Sequence, residues 1–279
     1  MQSELTEITD PKGNTVALSC RGVNKTWAAN TARAHIAIQS VDLEVRAGEF
    51  LVLLGPSGCG KSTLLYLMAG LEPVSGGSLE FFGEPVEGAS PDRSLIFQET
   101  SLFPWLNVWE NVSFGLQIRG HSVEERREVA RATLERVGLA GVEEKRPEEL
   151  SGGMRQRVAV ARSLAMRPRV LLMDEPFAAL DVQTRAKMQE FLLDVWKDSG
   201  ATIVFVTHHI DEAIALADRV CVFTARPGRI KEIIPIDMNR PRDPFSKQAE
   251  NYRRKLTDAL KIEVDRAFAE QESALGVLS

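Results

Sequence analysis

Long apolar runs, cysteine patterns and an excess of basic residues are all missing from this sequence, and each absence excludes a class of protein. The longest apolar runs, such as residues 50–54 and 203–206, are far shorter than the roughly 20 residues that a membrane-spanning helix needs. The three cysteines form no disulfide or zinc-binding pattern. The N-terminus lacks the basic start and apolar stretch of a signal peptide. We therefore expect a soluble protein of the reducing cytoplasm.

The charge balance is slightly acidic, with 39 Asp and Glu residues against 34 Lys and Arg residues. A dedicated nucleic-acid binder usually carries a basic face, so no nucleic-acid partner is expected. The 279 residues, 44% of them hydrophobic, suffice for a buried core in one large domain or two closely joined ones. This composition excludes a collagen, a disulfide mini-protein and a wholly disordered chain.

Short apolar runs alternate with helical segments, which predicts an α/β fold with a parallel sheet. The runs typical of strands buried on both faces are residues 49–54, 170–173 and 202–206. The predicted helices are residues 62–69, 182–199 and 211–217. Two further strands are expected around residues 16–23 and 37–45, with the polar segment 24–35 as a turn or hairpin tip between them.

The middle and the end of the chain differ from this alternating pattern. Residues 108–166 carry many charges and helix formers, including a predicted helix over 124–137, and about 99–165 is interpreted as a helical insert. Beyond residue 239 the sequence is polar, and then apolar residues recur every fourth position in one helical stripe. The predicted division is a leader at 1–15, a core at 16–98 and 166–238, the insert at 99–165 and a helical tail at 239–279.

Residues 55–62, Gly-Pro-Ser-Gly-Cys-Gly-Lys-Ser, fit the phosphate-binding pattern G-x-x-x-x-G-K-[ST]. Glycines let several backbone N–H groups point at phosphate oxygens, and the following helix adds its positive N-terminal end. An ordinary glycine turn beside a lysine is the alternative, but the segment lies between an apolar run and a helix, as the motif requires. The predicted nucleotide contacts are Gly55, Pro56, Ser57, Gly58, Cys59, Gly60, Lys61, Ser62 and Thr63.

A buried strand that ends in Asp174 and Glu175 supplies a second chemical element. Asp174 is expected to join Ser62 around Mg²⁺, and Glu175 to polarise a water for attack on the γ-phosphate. Alone, an apolar run followed by Asp-Glu is a weak signal. With a phosphate loop upstream, the metal interpretation is favoured.

A third element, Ser151, Gly152 and Gly153, precedes a helix and is another candidate anion-binding terminus. A second phosphate site in a chain with one complete nucleotide loop suggests that two chains share nucleotides across a dimer. An ordinary helix N-cap is the alternative.

With these elements in this order, residues 17–235 or so resemble the ATP-binding subunit of ABC transporters. The resemblance implies a P-loop NTPase (RecA-like) α/β core with a mainly parallel sheet, an N-terminal antiparallel β subdomain and a helical insert. It implies ATP and Mg²⁺ as cofactors and hydrolysis at the interface of a head-to-tail homodimer. It also implies integral membrane permease partners and a peripheral position on the cytoplasmic face of the inner membrane.

The same resemblance assigns further roles to single residues. Gln98 is similar to the glutamine that touches Mg²⁺ and the attacking water, and His208 to the histidine that contacts the γ-phosphate. Ser151, Gly152 and Gly153 are similar to the signature that grips the γ-phosphate bound to the opposite subunit, and Asp181 to the aspartate at the dimer seam. Two departures are Met154, where the family usually has glutamine, and His209, where an aspartate is more usual.

Two aromatic features have both functional and structural interpretations. Trp27 is the candidate for stacking on adenine, because an aromatic face suits a flat base, with ordinary packing as the alternative. Phe103, Trp105 and Leu106 are too apolar for a solvated loop and predict a groove for a short helix of a membrane partner. Packing between the sheet and the helical insert is the alternative for this cluster.

Three segments resemble those of the ATP-binding subunits of importers for nitrate, taurine and aliphatic sulfonates: residues 101–116, 225–230 and 240–243. This similarity implies uptake of a small anion, with a periplasmic or surface solute-binding protein as a further partner. One alternative is a soluble ABC-type ATPase that acts on DNA or ribosomes, but no coiled coil, zinc-binding cysteines or second nucleotide domain is visible. A nucleotide sensor without turnover is another, and the presence of Glu175 and His208 argues against it.

Overall fold

A computed structural model describes residues 15–29, 31, 34–99, 101–178 and 180–276. The predicted leader lies almost entirely outside these residues. Among the helices in the described ranges, none is both long and apolar enough to cross a membrane.

The chain alternates strands with helices, as the apolar runs predict. The strands are β1 (Val16–Trp27), β2 (His35–Arg46), β3 (Phe50–Leu54), β4 (Gly76–Phe81), β5 (Glu84–Pro85), β6 (Arg93–Ile96), β7 (Val170–Asp174), β8 (Thr202–Thr207), β9 (Arg219–Phe223) and β10 (Ile230–Pro235). The helices are α1 (Lys61–Ala69), α2 (Val108–Ile118), α3 (Val123–Arg136), α4 (Gly152–Leu164), α5 (Val182–Ser199), α6 (Ile210–Leu216) and α7 (Lys247–Gly276), with a short 3-10 helix at Pro147–Glu149.

The chain divides into two compact units. The first takes the described residues up to Ala89 together with those from Thr202 onward, and the second takes those from Ser90 to Ala201. Compactness therefore places β6, β7 and α5 with the helical segment. The predicted boundaries between the core and the helical insert, at 98/99 and 165/166, differ from this division and stay a prediction.

The first unit contains two sheets. One is antiparallel, in the order β2-β1-β4-β5, which confirms the predicted N-terminal antiparallel subdomain. In the other, β9, β3 and β8 run parallel side by side, and β10 pairs antiparallel with β9. Every residue of β3 and of β8 is buried, as in parallel strands with both faces covered.

The β1–β2 hairpin corrects one expectation. The polar segment 24–35 predicts a turn or hairpin tip, but β1 continues to Trp27 and β2 begins at His35, so both strands extend into this segment. The polar side chains have partners: the Asn24 amide oxygen accepts the Ser40 N–H of β2 at 3.0 Å, and the buried Lys25 ammonium donates to Glu72, between α1 and β4, at 2.9 Å. Since these groups keep their hydrogen bonds, polarity does not end the strand.

The second unit pairs β6 and β7 in parallel and contains helices α2 to α5. Capping boxes begin α2 and α3: Asn107 and Glu110 bond each other's backbone N–H groups, as do Ser122 and Glu125. These local signals explain why the insert is helical, as its composition predicts.

The predicted apolar stripe lies on α7. Leu256 and Leu260 are buried, whereas Phe268 at the far end of the stripe is 63% exposed. The segment before α7 is fixed by Arg242, which donates to the carbonyls of Ile214 and Ala217 at 2.6 and 2.7 Å, at the end of α6. A cation at this position also opposes the negative end of the helix dipole.

Candidate active site

The phosphate loop follows β3 and encloses a lysine. Lys61 is 4% exposed, and its ammonium donates to the carbonyl oxygens of Gly55 and Pro56, both at 2.8 Å. One positive charge is thus held inside the loop by the loop's own backbone.

Two glycines make this loop conformation accessible. Gly58 and Gly60 have φ angles of 74° and 103°, where residues with a side chain are strained. At Gly60 a Cβ atom would lie 2.7 Å from the backbone oxygen of Ala37 and 2.8 Å from the Ile38 side chain. No side chain caps the start of α1 at Gly60, so the first turn, with Ser62 and Thr63, presents backbone N–H groups as an anion-binding terminus does.

Cys59 is a buried member of the loop. Burial raises the pKa of its thiol, and the Lys61 ammonium, 3.7 Å from the sulfur, lowers it by less. The thiol therefore stays protonated near neutral pH and acts as a small apolar group in the loop.

His208 leaves the sheet beside this loop. Leu54 and Thr207 are register partners in parallel strands, so Gly55 and His208 lie at the same sheet edge. Gly55, Pro56, Ser57 and His208 line one cavity of about 330 Å³ together with apolar residues of α7. His209 occupies the N-cap position of α6 instead, and its N–H donates to the Thr207 hydroxyl at 3.0 Å.

In the second unit, β7 ends at the predicted acidic pair. Asp174 is buried, and Glu175 is half-buried with a φ of 44°, a strained value that is often found at functional positions. The parallel register pairs Ile96 with Met173, so Gln98 and Asp174 follow at the same edge of the β6–β7 pair.

The donor groups predicted for Mg²⁺ match the preference of that ion. Ser62, Asp174 and Gln98 offer hydroxyl, carboxylate and amide oxygens, the oxygen ligands that Mg²⁺ takes. Within the described residues no group of three or more His, Cys, Asp or Glu could hold a metal. A Mg²⁺ site usually has one or two carboxylates and is completed by substrate phosphates and water, and Mg²⁺ binding by these residues stays a prediction.

The signature residues begin α4. The Ser151 hydroxyl accepts the Met154 N–H at 3.3 Å, and Gly152 is exposed. A Cβ at Gly153 would lie 3.1 Å from the Thr184 methyl, so the start of α4 contacts α5. Ser151 is thus the N-cap of α4, and its predicted contact with a γ-phosphate stays a prediction.

Asp181 begins α5 in the same way. Its carboxylate accepts the N–H groups of Gln183 and Thr184, both at 3.0 Å. Hydrogen bonds from Thr184, followed by those from Gln183, hold the pKa of Asp181 below its usual value. The exposed carboxylate is therefore ionised and fixed in direction at neutral pH.

Trp27 is the last residue of β1 and is half-buried. The Lys25 ammonium lies 4.5 Å from its ring centroid, a cation–π contact of the kind that ordinary packing produces. Adenine stacking by Trp27 stays a prediction.

The aromatic segment after Gln98 is partly packed and partly exposed. Phe103 packs on Phe114 with ring centroids 4.5 Å apart, while Trp105 is 66% exposed. Asn111, which the sequence analysis missed, is fully buried and holds this segment by bonds to the Phe103 N–H at 2.9 Å and to the carbonyls of Phe103 and Leu106, both at 3.1 Å. An asparagine on the apolar face of α2 is the sequence signal that could have found it.

A second missed residue is Arg226, whose Nη2 donates to the Gly58 carbonyl of the phosphate loop at 3.1 Å. Arg226 lies in the segment 225–230, whose similarity to the importers gives no indication of this contact.

Comparisons with known proteins agree on one family. The ABC transporter family model matches residues 38–178. An uncharacterized ABC transporter ATP-binding protein of Methanocaldococcus jannaschii is 49% identical over 89% of this chain and 93% of its own length. The nitrate import ATP-binding protein NrtD of a Synechocystis species is 47% identical over 73% of this chain and 76% of its own length. The taurine import ATP-binding protein TauB of Shigella boydii is 45% identical over 73% of this chain and 80% of its own length.

Solved structures support the same assignment. A dimeric ATP-binding cassette in a post-hydrolysis state, bound to ADP and Pi, matches with a TM-score of 0.70 and 30% identity over 80% of this chain and all of that chain. ATP-binding proteins of ABC transporters hydrolyse ATP to power transport. On its motifs, its fold and these relatives, the chain belongs to the ABC transporter ATP-binding proteins.

Proposed function

We propose that this chain is the ATPase subunit of an importer, in which two copies bind two ATP molecules head to tail. The observation that carries the proposal is the Lys61 ammonium held inside a loop whose backbone needs glycine at positions 58 and 60. Such a loop pairs a fixed positive charge with backbone N–H groups, the combination that binds β- and γ-phosphates.

The site residues take the roles that the family implies. Ser62, Asp174 and Gln98 would hold Mg²⁺, which when bound neutralises charge on the phosphate oxygens. Glu175 accepts a proton from the attacking water on its carboxylate, and His208 and Gln98 orient that water. Catalysis by this arrangement is mostly positioning and charge stabilisation, as phosphoryl transfer requires.

The second copy completes each nucleotide site in this proposal. Its Ser151, Gly152 and Gly153 bind the γ-phosphate through the start of α4, and Asp181 lies at the dimer seam. The exposed Gly152 and the fixed, ionised Asp181 carboxylate support these roles, since both helix starts reach the surface. Trp27 stacks on the adenine.

The proposed transport partner is an integral membrane permease, with the chain bound peripherally at the cytoplasmic face of the membrane. A short permease helix docks against Phe103, Trp105 and Leu106, and the exposure of Trp105 supports this role. The nitrate and taurine relatives favour a small anion of the sulfonate, taurine or nitrate class as cargo. A solute-binding protein delivers that cargo.

The ATPase part of the proposal is tested with Glu175→Gln. We expect ATP binding to persist and turnover to fall at least about a hundredfold, because an amide cannot accept the proton. ATP should then trap a dimer, visible by size-exclusion chromatography. Glu190→Gln, an exposed site on α5, is the matched control. Hydrolysis by the Glu175→Gln variant near the parent rate would show that Glu175 is not the base.

The importer part is tested by detergent pull-down of the tagged chain from its native membranes, with partners identified by mass spectrometry. A permease should co-purify with the parent and with Ile118→Ala, which changes another exposed apolar residue, but poorly with Trp105→Ala. Its solute-binding protein is then titrated with sulfonates, taurine and nitrate. Recovery of only ribosomal or DNA-bound partners would reject the importer and favour the soluble ATPase class.

A further inference from the structure

The turn between β9 and β10, residues 224–229, lies directly against the phosphate loop. The Arg226 side chain donates to the Gly58 carbonyl from Nε at 3.3 Å and from Nη2 at 3.1 Å. A Cβ at Gly228 would lie 2.1 Å from the Cys59 carbonyl oxygen, so the two backbones are in contact. The loop is therefore supported from outside by this β9–β10 turn.

The β9–β10 turn is itself fixed on two sides. The Gly228 N–H donates to the Ala37 carbonyl of β2 at 2.8 Å. Glu263 of α7 has a side chain only 4% exposed, and its carboxylate accepts the Ala225 N–H and the Lys231 ammonium, both at 3.0 Å. A buried carboxylate with two such donors is a strong positional restraint. The turn therefore cannot move without breaking a bond to α7 or to β2.

The phosphate loop also shares a cavity with α7. Leu260, Val264, Ala267 and Phe268 line the cavity that Gly55, Pro56, Ser57 and His208 complete. The C-terminal helix thus reaches the loop twice, through the Glu263 bonds to the β9–β10 turn and through this apolar wall.

We propose that α7 positions the phosphate loop, with Glu263 and Arg226 as its positioning residues. A trans peptide is planar, so the Gly58 carbonyl and the Cys59 N–H point in opposite directions. By holding this carbonyl, Arg226 keeps that N–H directed toward the opposite side of the peptide, where the proposed function places phosphate. The proposal rests on the proposed function, because it concerns how the loop receives ATP.

The test compares full-length Arg226→Ala, Arg226→Lys and Glu263→Gln, with Asp265→Asn, an exposed site on α7, as the control. Isothermal titration gives the Kd for ATP, turnover gives KM and kcat, and thermal unfolding gives the Tm. We expect Arg226→Ala to raise Kd and KM about three- to tenfold with kcat within about twofold. Arg226→Lys should recover only part of the loss, because lysine keeps the charge but not the paired donors.

Glu263→Gln separates positioning from simple charge effects. Removing a negative charge should strengthen ATP binding if only long-range electrostatics acted, whereas loss of the restraint should weaken it. We expect weaker binding, and no change in Asp265→Asn. The double variant Arg226→Ala/Glu263→Gln should lose less free energy of ATP binding than the sum of the two single losses, because both residues act through one turn.

Several results would overturn the proposal. They are an unchanged Kd in Arg226→Ala, full recovery in Arg226→Lys, tighter binding in Glu263→Gln, or additive effects in the double variant. If Glu263→Gln does not fold, the exposed Arg226 variants decide the question by themselves. A parent chain that binds no ATP would overturn the proposed function together with this inference, whereas a parent that hydrolyses ATP beside unaffected variants would overturn this inference alone.

Discussion

Leu54 and Thr207 are register partners in two parallel strands, and this pairing brings the phosphate loop and His208 to one sheet edge. Gly55 begins the phosphate loop directly after β3, His208 directly follows β8, and the hydrogen-bond ladder fixes the register between the two strand ends. Because β3 and β8 are wholly buried, a register shift would disrupt the side-chain packing on both faces of the sheet. The backbone position at which His208 leaves the sheet is therefore fixed by the register of two buried strands.

His208→Ala is expected to lower kcat about a hundredfold with little change in ATP affinity, since a group that orients the attacking water acts in the transition state. His209→Ala is the companion variant, because His209 is the N-cap of α6 and its backbone N–H donates to the Thr207 hydroxyl. Steady-state turnover and equilibrium ATP binding check both. A larger loss of turnover in His209→Ala than in His208→Ala would show that His209, not His208, makes the phosphate contact.

Gly60→Ala is expected to abolish ATP binding and to lower the free energy of unfolding by about 1–3 kcal/mol. The added Cβ would lie 2.7 Å from a backbone oxygen at a φ of 103°. Gly88→Ala is the matched control, because a Cβ there meets nothing within 4 Å. Urea unfolding and titration calorimetry measure the two effects, and parent-like ATP affinity in Gly60→Ala would contradict the loop geometry.

Cys59 is expected to react with iodoacetamide at pH 7 at least about tenfold more slowly than in the denatured chain, because it is buried and its thiol pKa is raised. A raised pKa means that the thiolate fraction, and with it the rate, increases as pH rises above neutral. ATP should slow labelling further. Peptide mass spectrometry measures the rate at this residue, and fast labelling at pH 7 that ATP leaves unchanged would place Cys59 outside the nucleotide site.

Asn111→Ala is expected to lower the free energy of unfolding by about 2–4 kcal/mol, because the Phe103 N–H and neighbouring carbonyls lose their partner. It should also weaken permease recovery in the membrane pull-down, since Trp105 is presented by the segment that Asn111 holds. Asn239→Ala, an exposed site, is the control. Unchanged stability would mean that water replaces these bonds.

Local patterns predicted the elements because their causes are local. The apolar runs of β3, β7 and β8 announce buried parallel strands, and the helix predicted at 182–199 has the bounds of α5. The predicted ends of the β1–β2 strands were wrong because polar Asn24 and Lys25 bond Ser40 and Glu72, which are far away in the sequence. The sequence pattern predicted the functional pair Asp174 and Glu175, but it did not predict the φ of 44° at Glu175.

The sequence by itself determined the phosphate loop, the acidic strand end and the helix starts at Ser151 and Asp181, because spacing and residue type encode each of them. Only the tertiary structure decided that Trp105 is exposed, that Asn111 holds its segment, and that Glu263 and Arg226 connect α7 to the phosphate loop. Such contacts join residues up to 168 positions apart, and no periodicity or motif records them. They depend on which buried polar groups the packed chain brings within hydrogen-bond distance.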